Sequence, residues 1–96
     1  MEWPCVKYSL CLLNMTKVKA PFLIALGKAI RCKREALGYT QEGFADELGL
    51  GRGYYWRVEN GELNIRVSKL ADIASGLKTT AAELLKQTEE FLKKKN

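Results

Sequence analysis

Two short stretches of helical spacing, separated by the turn Gly49-Leu50-Gly51, dominate what this chain can fold into. In the first, Phe44, Ala45 and Leu48 mark the buried side of a helix running from Gln41 to about Leu48. Thr40 stands before it as a good N-cap, because its hydroxyl can accept an early backbone N–H. Gly49 breaks that helix and permits a tight turn, with Leu50 as the apolar residue inside it. In the second stretch, from about Arg52 to Asn60, Tyr55 and Val58 are the inward residues, and Gly61 ends it.

Three more amphipathic segments surround this pair. The first begins just after Pro21, a residue tolerated at helix starts. Phe22, Leu26, Ile30 and Leu37 fall on one face, flanked by Lys28, Arg31, Lys33 and Arg34. Lys33 sits toward the apolar face and can lay its stem there while the charge reaches water. Gly38 closes this helix as a left-handed cap. Val67, Leu70, Ile73, Ala74 and Leu77 define a fourth helix. Thr80-Ala81-Ala82-Glu83 is a capping box that opens a fifth, with Leu84, Leu85, Phe91 and Leu92 as its apolar spots. Lys93, Lys94 and Lys95 suit the negative end of its dipole. The expected fold is all-α, a five-helix bundle.

Residues 1–21 differ from the rest and read as an N-terminal extension, leaving 22–96 as the domain. Val6, Tyr8, Leu10 and Leu12 alternate, which suits a short strand. Asn14 to Pro21 reads as a linker, and Met15 is a possible alternative start. A mobile arm is favoured over a strand that pairs with a second subunit, because isolated strands are marginal.

Length and charge narrow the function. Ninety-six residues allow one domain with a modest core. A net charge of +5 and a pI near 9.2 favour an anionic partner. No apolar run approaches the ~20 residues needed to span a bilayer. Lys7 interrupts the N-terminal apolar stretch, and no small-residue cleavage site follows. The expectation is a cytoplasmic protein that does not engage membranes. Cys5, Cys11 and Cys32 match no metal-ligand spacing and are read as free thiols. With no histidine, Ser-His and Cys-His nucleophile pairs are unavailable. No catalytic cluster, metal site or cofactor site is expected.

Two short helices about a glycine turn form the helix-turn-helix arrangement. It needs a small residue where the helices cross, and Ala45 fits. It needs a turn residue that tolerates positive φ, and Gly49 fits. It needs apolar locks, and Leu50, Tyr55 and Val58 supply them. The wider pattern comprises Leu26-Gly27, Ile30-Arg31, Gly38 to Glu42, Phe44-Ala45, Leu48 to Leu50, Arg57 to Gly61, Leu70, Ile73-Ala74, Leu77 and Glu83 to Leu85. It resembles the Cro/phage-repressor (XRE-type) helix-turn-helix family over about residues 24 to 86. Gly51 to Tyr55 followed by Asn64-Ile65 is further similar to the small controller proteins of restriction-modification systems. The resemblance implies a five-helix fold, dimeric binding to a pseudo-palindromic operator in double-stranded DNA, and transcriptional regulation.

It also assigns residues. The recognition helix of such a motif enters the major groove by its N-terminal end. Arg52 can reach guanine O6 and N7 with its fork of donors. Tyr54 can pack on a thymine methyl or bond a phosphate, and Arg57 can do either kind of work one turn on. Gly53 cannot read a base but allows close backbone approach. Gln41, at a helix start with its side-chain amide facing outward, and Asn60 are phosphate candidates, with Asn64 weaker. Tyr55 is core, Glu59 is structural, and Trp56 can be either an interface residue or folded back. The chain departs from the family at Gly43, Glu62 and Arg66. Gly43 alone costs ~1 kcal/mol of helix propensity. The expected homodimer surface is Leu84, Leu85, Phe91 and Leu92. A second reading is an antitoxin-like module that uses the N-terminal arm or last helix to hold a protein partner.

Overall fold

The computed structural model describes residues 21–94, which form five helices with no strand among them. They are α1 (Pro21–Ala36), α2 (Gln41–Leu48), α3 (Arg52–Glu59), α4 (Val67–Gly76) and α5 (Ala81–Lys94). The strand-like Cys5 to Leu13 stretch, the linker after it, and Cys5 and Cys11 lie outside the described residues. Cys32 is an exposed free thiol.

The expected caps form. Thr40 Oγ1 accepts from the Gly43 N–H at 3.0 Å and starts α2. Gly49 ends it in the left-handed region, at φ +72°, where any side chain would be strained. That turn lets the Leu50 N–H reach back to Ala45 O at 2.9 Å, which reverses the chain in three residues. Thr80 Oγ1 accepts the Glu83 N–H at 3.1 Å to open α5.

One core gathers all five helices. Leu26, Ala29 and Ile30 of α1 meet Phe44 and Ala45, Tyr55 and Val58, Leu70, Ile73 and Ala74, then Leu77 and Leu84. Phe44 stands at its centre, edge-on to Tyr55 with centroids 5.5 Å apart and tilted against Tyr39 at 5.2 Å. Such pairs add stability beyond their area burial. Helix α1 lies chiefly along α5 and across α3.

Three sequence expectations are corrected. Leu37 is 41% exposed, because α1 ends at Ala36 and the chain then leaves helical register. The inward slot one turn after Leu26 and Ile30 belongs to Arg34, which is buried. Val67 is 79% exposed: it is the first residue of α4, where side chains tilt back off the end of the helix. Leu84, expected on the dimer surface, is fully buried inside the chain, one turn before the equally buried Thr88. Both lie on the side of α5 that faces the core. Leu85, Phe91 and Leu92 are half-buried.

Two features fix α3, and with it the surface it exposes. The first is steric. Helix α1 crosses α3 at Gly27, where a Cβ would lie 2.2 Å from Glu59 O and 3.0 Å from Val58 O. Only glycine lets the two backbones come so close.

The second is a buried polar knot. Arg34 grips the Glu59 carboxylate with two hydrogen bonds, Nε to Oε2 at 2.7 Å and Nη2 to Oε1 at 3.1 Å. Its remaining nitrogen, Nη1, donates to Tyr39 O at 2.8 Å. Gln41 Nε2 donates to Glu59 Oε1 at 2.9 Å, and Arg31 Nε approaches the same oxygen at 3.5 Å. The knot therefore ties the end of α1, the loop after it, the start of α2 and the end of α3 to one carboxylate. Tyr55 places its buried hydroxyl beside this group without a hydrogen bond of ordinary geometry. Burial, then the neighbouring Glu59, raises the Tyr55 phenol well above its ordinary range. For Glu59 itself burial is the largest influence and acts to raise its pKa. The donors around it, Arg34 first, more than offset that and hold it below the usual carboxylate value.

Two measurements test this account. Gly27→Ala should lower unfolding free energy by about 1–3 kcal/mol in a denaturant titration, as overpacked contacts do. Glu59→Gln should cost about 3–5 kcal/mol, since it leaves Arg34 buried without its counter-charge. A depressed carboxylate pKa stabilises the fold above its unfolded value of 4.5, and that stability drains away as pH falls through the folded value. Acid titration of stability should therefore show a steeper decline in the wild type than in Glu59→Gln.

Candidate nucleic-acid interface

Helix α3 is eight residues long and has two unlike sides. At ~100° per residue, Tyr55, Val58 and Glu59 share one side. All three are buried. The opposite side centres on Gly53 and Arg57, flanked by Tyr54 on one edge and Arg52 and Trp56 on the other. Each of these five is exposed. Arg52, Gly53, Tyr54 and Arg57, singled out from sequence, are thus brought together on one surface of one helix.

Nothing lies within 4 Å of where a Gly53 Cβ would sit. The middle of the outer face is therefore bare helix backbone with open space above it. Trp56 is 49% exposed and walls a shallow groove of about 320 Å³ with Gln41, Glu42, Arg52 and Gly53. It does not fold back into the core. Its place was legible as one helical turn beyond Arg52, on the same side. A second groove, about 530 Å³, runs along the other edge and is lined by Leu50, Tyr54, Leu63, Asn64, Arg66 and Lys69 among others. It puts Asn64 and two cations beside Tyr54.

The remaining assignments divide. Gln41 does not present its side-chain amide outward. The amide is spent on Glu59, which leaves the start of α2 as backbone only. Asn60 donates one Nδ2 proton to Trp56 O at 2.8 Å, capping α3. Arg66 precedes α4 without any side-chain cap bond.

Asp46 was not anticipated. It sits near the end of α2 and reaches over the turn to Arg52. Arg52 Nε donates to Oδ1 at 3.2 Å and Nη2 donates to Oδ2 at 2.7 Å. The pair is open to solvent, with side chains 62% and 56% exposed. The hydrogen bonds from Arg52 hold the Asp46 carboxyl below its ordinary range, and the same bonds raise Arg52. Helical periodicity gives no hint of it, since the two residues stand on different helices joined by a reversal.

Among the described residues no cluster of acidic or thiol groups is disposed to hold a metal ion. No helix among them is long and apolar enough to cross a membrane. What the surface offers is a short exposed helix edge carrying two guanidiniums and two aromatics, held on a rigid base.

Comparison with known proteins agrees. A helix-turn-helix family model matches residues 30–84, more than half of the chain. Control protein C.MunI of Mycoplasma sp is 35% identical over 63 residues, covering 66% of this chain and 85% of its own length. The HTH-type transcriptional regulator YazB of Bacillus subtilis is 38% identical over 58 residues, covering 60% of this chain and 84% of its own. Among solved structures, the restriction-modification controller protein C.AhdI of Aeromonas hydrophila is 34% identical, with a TM-score of 0.62. That match covers 65% of this chain and 94% of that one. The clp gene regulator ClgR of Corynebacterium glutamicum, 24% identical with a TM-score of 0.71, shares the fold over 77% of this chain and 95% of its own. With the motif, its two-sided third helix and these relatives together, the chain belongs to the XRE-type helix-turn-helix family of DNA-binding transcriptional regulators.

Proposed function

We propose that this regulator binds a pseudo-palindromic operator as a homodimer, in the manner of a restriction-modification control protein. The observation that carries the reading is the division of α3, whose inner side is locked by core and polar knot while its outer side is exposed and basic. Each copy sets α3 into the major groove of one half-site. Arg52 reads a guanine, Tyr54 and Trp56 supply apolar contact to base edges, and Arg57, one turn further along, reads a base or clamps a phosphate. Gly53 lets the helix backbone sit close. Phosphate contacts come from the first backbone N–H groups of α2, from Asn60 and from Asn64, and these set register without reading sequence. DNA is the partner that fits a net charge of +5. The relatives are bacterial proteins, and bacterial DNA lies in the cytoplasm, which supports action there.

The dimer contact falls to the half-buried residues of α5: Leu85, Phe91 and Leu92. Two recognition helices then stand about 34 Å apart, one turn of duplex. The likeness to C.MunI and C.AhdI supports the controller role. The antitoxin-like reading places a protein partner on the N-terminal arm, which lies outside the described residues, or on the last helix, and no observation favours it.

Selection of sites from random duplexes at a stated salt concentration tests the proposal. The expected product is two inverted half-sites whose centres lie about one helical turn apart; a single unrepeated site argues against the dimer. On the selected site, Arg52→Ala should lose about 5- to 150-fold discrimination at one guanine. Arg57→Ala should weaken binding and flatten its dependence on salt if it clamps a phosphate, because fewer counterions are then released.

A further inference from the structure

Resting on the base-reading assignment of Arg52, we propose that Asp46 is a positioning residue that holds Arg52 ready for guanine. A guanidinium carries five N–H donors in a fixed plane. Asp46 takes one from Nε and one from Nη2, so it occupies the side edge of the plane. The three donors left are both protons of Nη1 and the second proton of Nη2. Two of these form the outer edge, a fork of parallel N–H bonds that matches guanine O6 and N7. The carboxylate thus occupies the edge that the base does not need and leaves the edge that it does.

Location agrees with chemistry. Arg52 is the first residue of α3, at the end that leads into the groove. A long side chain there has many rotamers, and ordering it on contact with a base opposes binding. Asp46 is on α2, whose angle to α3 is set by the Gly49 turn and the buried Glu59 knot. The support is therefore as rigid as the motif itself. Glu42 also lies in the groove with Arg52 and acts on it through space, but the side-chain hydrogen bonds of Arg52 go to Asp46. An exposed ion pair adds little to the stability of a fold, so stability does not explain why the two residues are so closely matched.

A carboxylate beside DNA also repels phosphate, which separates this role from its competitors. Positioning predicts that Asp46→Asn lowers discrimination while leaving non-specific affinity equal or higher. Affinities for the selected duplex, for the same duplex with the guanine pair changed to adenine–thymine, and for unrelated DNA decide the matter. Discrimination at that one position should fall about three- to tenfold in Asp46→Asn, a part of what the bidentate contact provides. In the Arg52→Ala background the same change should do nothing to discrimination. Asp46→Ala, which suits a helix, should behave like Asp46→Asn, and melting temperatures show whether each variant is folded.

Unchanged discrimination in both folded Asp46 variants overturns the proposal. So does tighter and equally selective binding, which would make Asp46 a mask over Arg52. If Arg52→Ala itself leaves every base preference intact, the base-reading assignment fails first and the positioning role goes with it.

Discussion

A single buried carboxylate organises this domain. Glu59 lies at the inner end of the recognition helix with no access to water, and charge in such a place is tolerated only when it is fully paired. Its partners come from two different helices, and one of them also holds the loop between those helices, so satisfying it sets three positions at once. Arg34 brings the end of α1, Tyr39 O is reached through the same guanidinium, and Gln41 brings the start of α2. A hydrophobic contact at that point would permit sliding. Directed hydrogen bonds do not, and they specify one angle between the two helices of the motif.

Close packing completes what the knot begins. Gly27 lets α1 rest against the carbonyls of Val58 and Glu59, immediately beside the ion pair. Phe44 and Tyr55 fill the space between α2 and α3 on the other side. The outer half of α3 therefore inherits its orientation from groups that never meet solvent. That separation explains how a helix of eight residues, far too short to be stable alone, presents a fixed pattern of side chains.

Much of this was legible in the residues. The Thr40 cap, the positive-φ turn at Gly49, the buried Ala45 and the inward Tyr55 and Val58 follow from local rules, and all appear as expected. The family resemblance supplied the outer face of α3, and helical geometry assembles it. The failures have a common cause. Arg34 reads as a solvated charge until Glu59, twenty-five positions away in sequence, is placed beside it. Gln41 reads as outward for the same reason, and Asp46 reads as unremarkable until the turn folds it back on Arg52. Leu84 shows the converse: an apolar residue near a chain end suggests a surface for association, but α5 lies along α1 and uses it internally. Patterns within one helix are local. Contacts between charged groups on different helices are not, and no periodicity encodes them.

Gly53 has a consequence of its own. It occupies the middle of the outer face, and the volume above it is unfilled by any part of the chain. A side chain installed there would disturb neither core nor knot, and in the proposed binding mode it would face the duplex. In that mode Gly53 is one vacant letter of the reading face. Changes at this position can retune which operator is chosen while the scaffold stays as it is, so binding preference and folding are free to evolve separately.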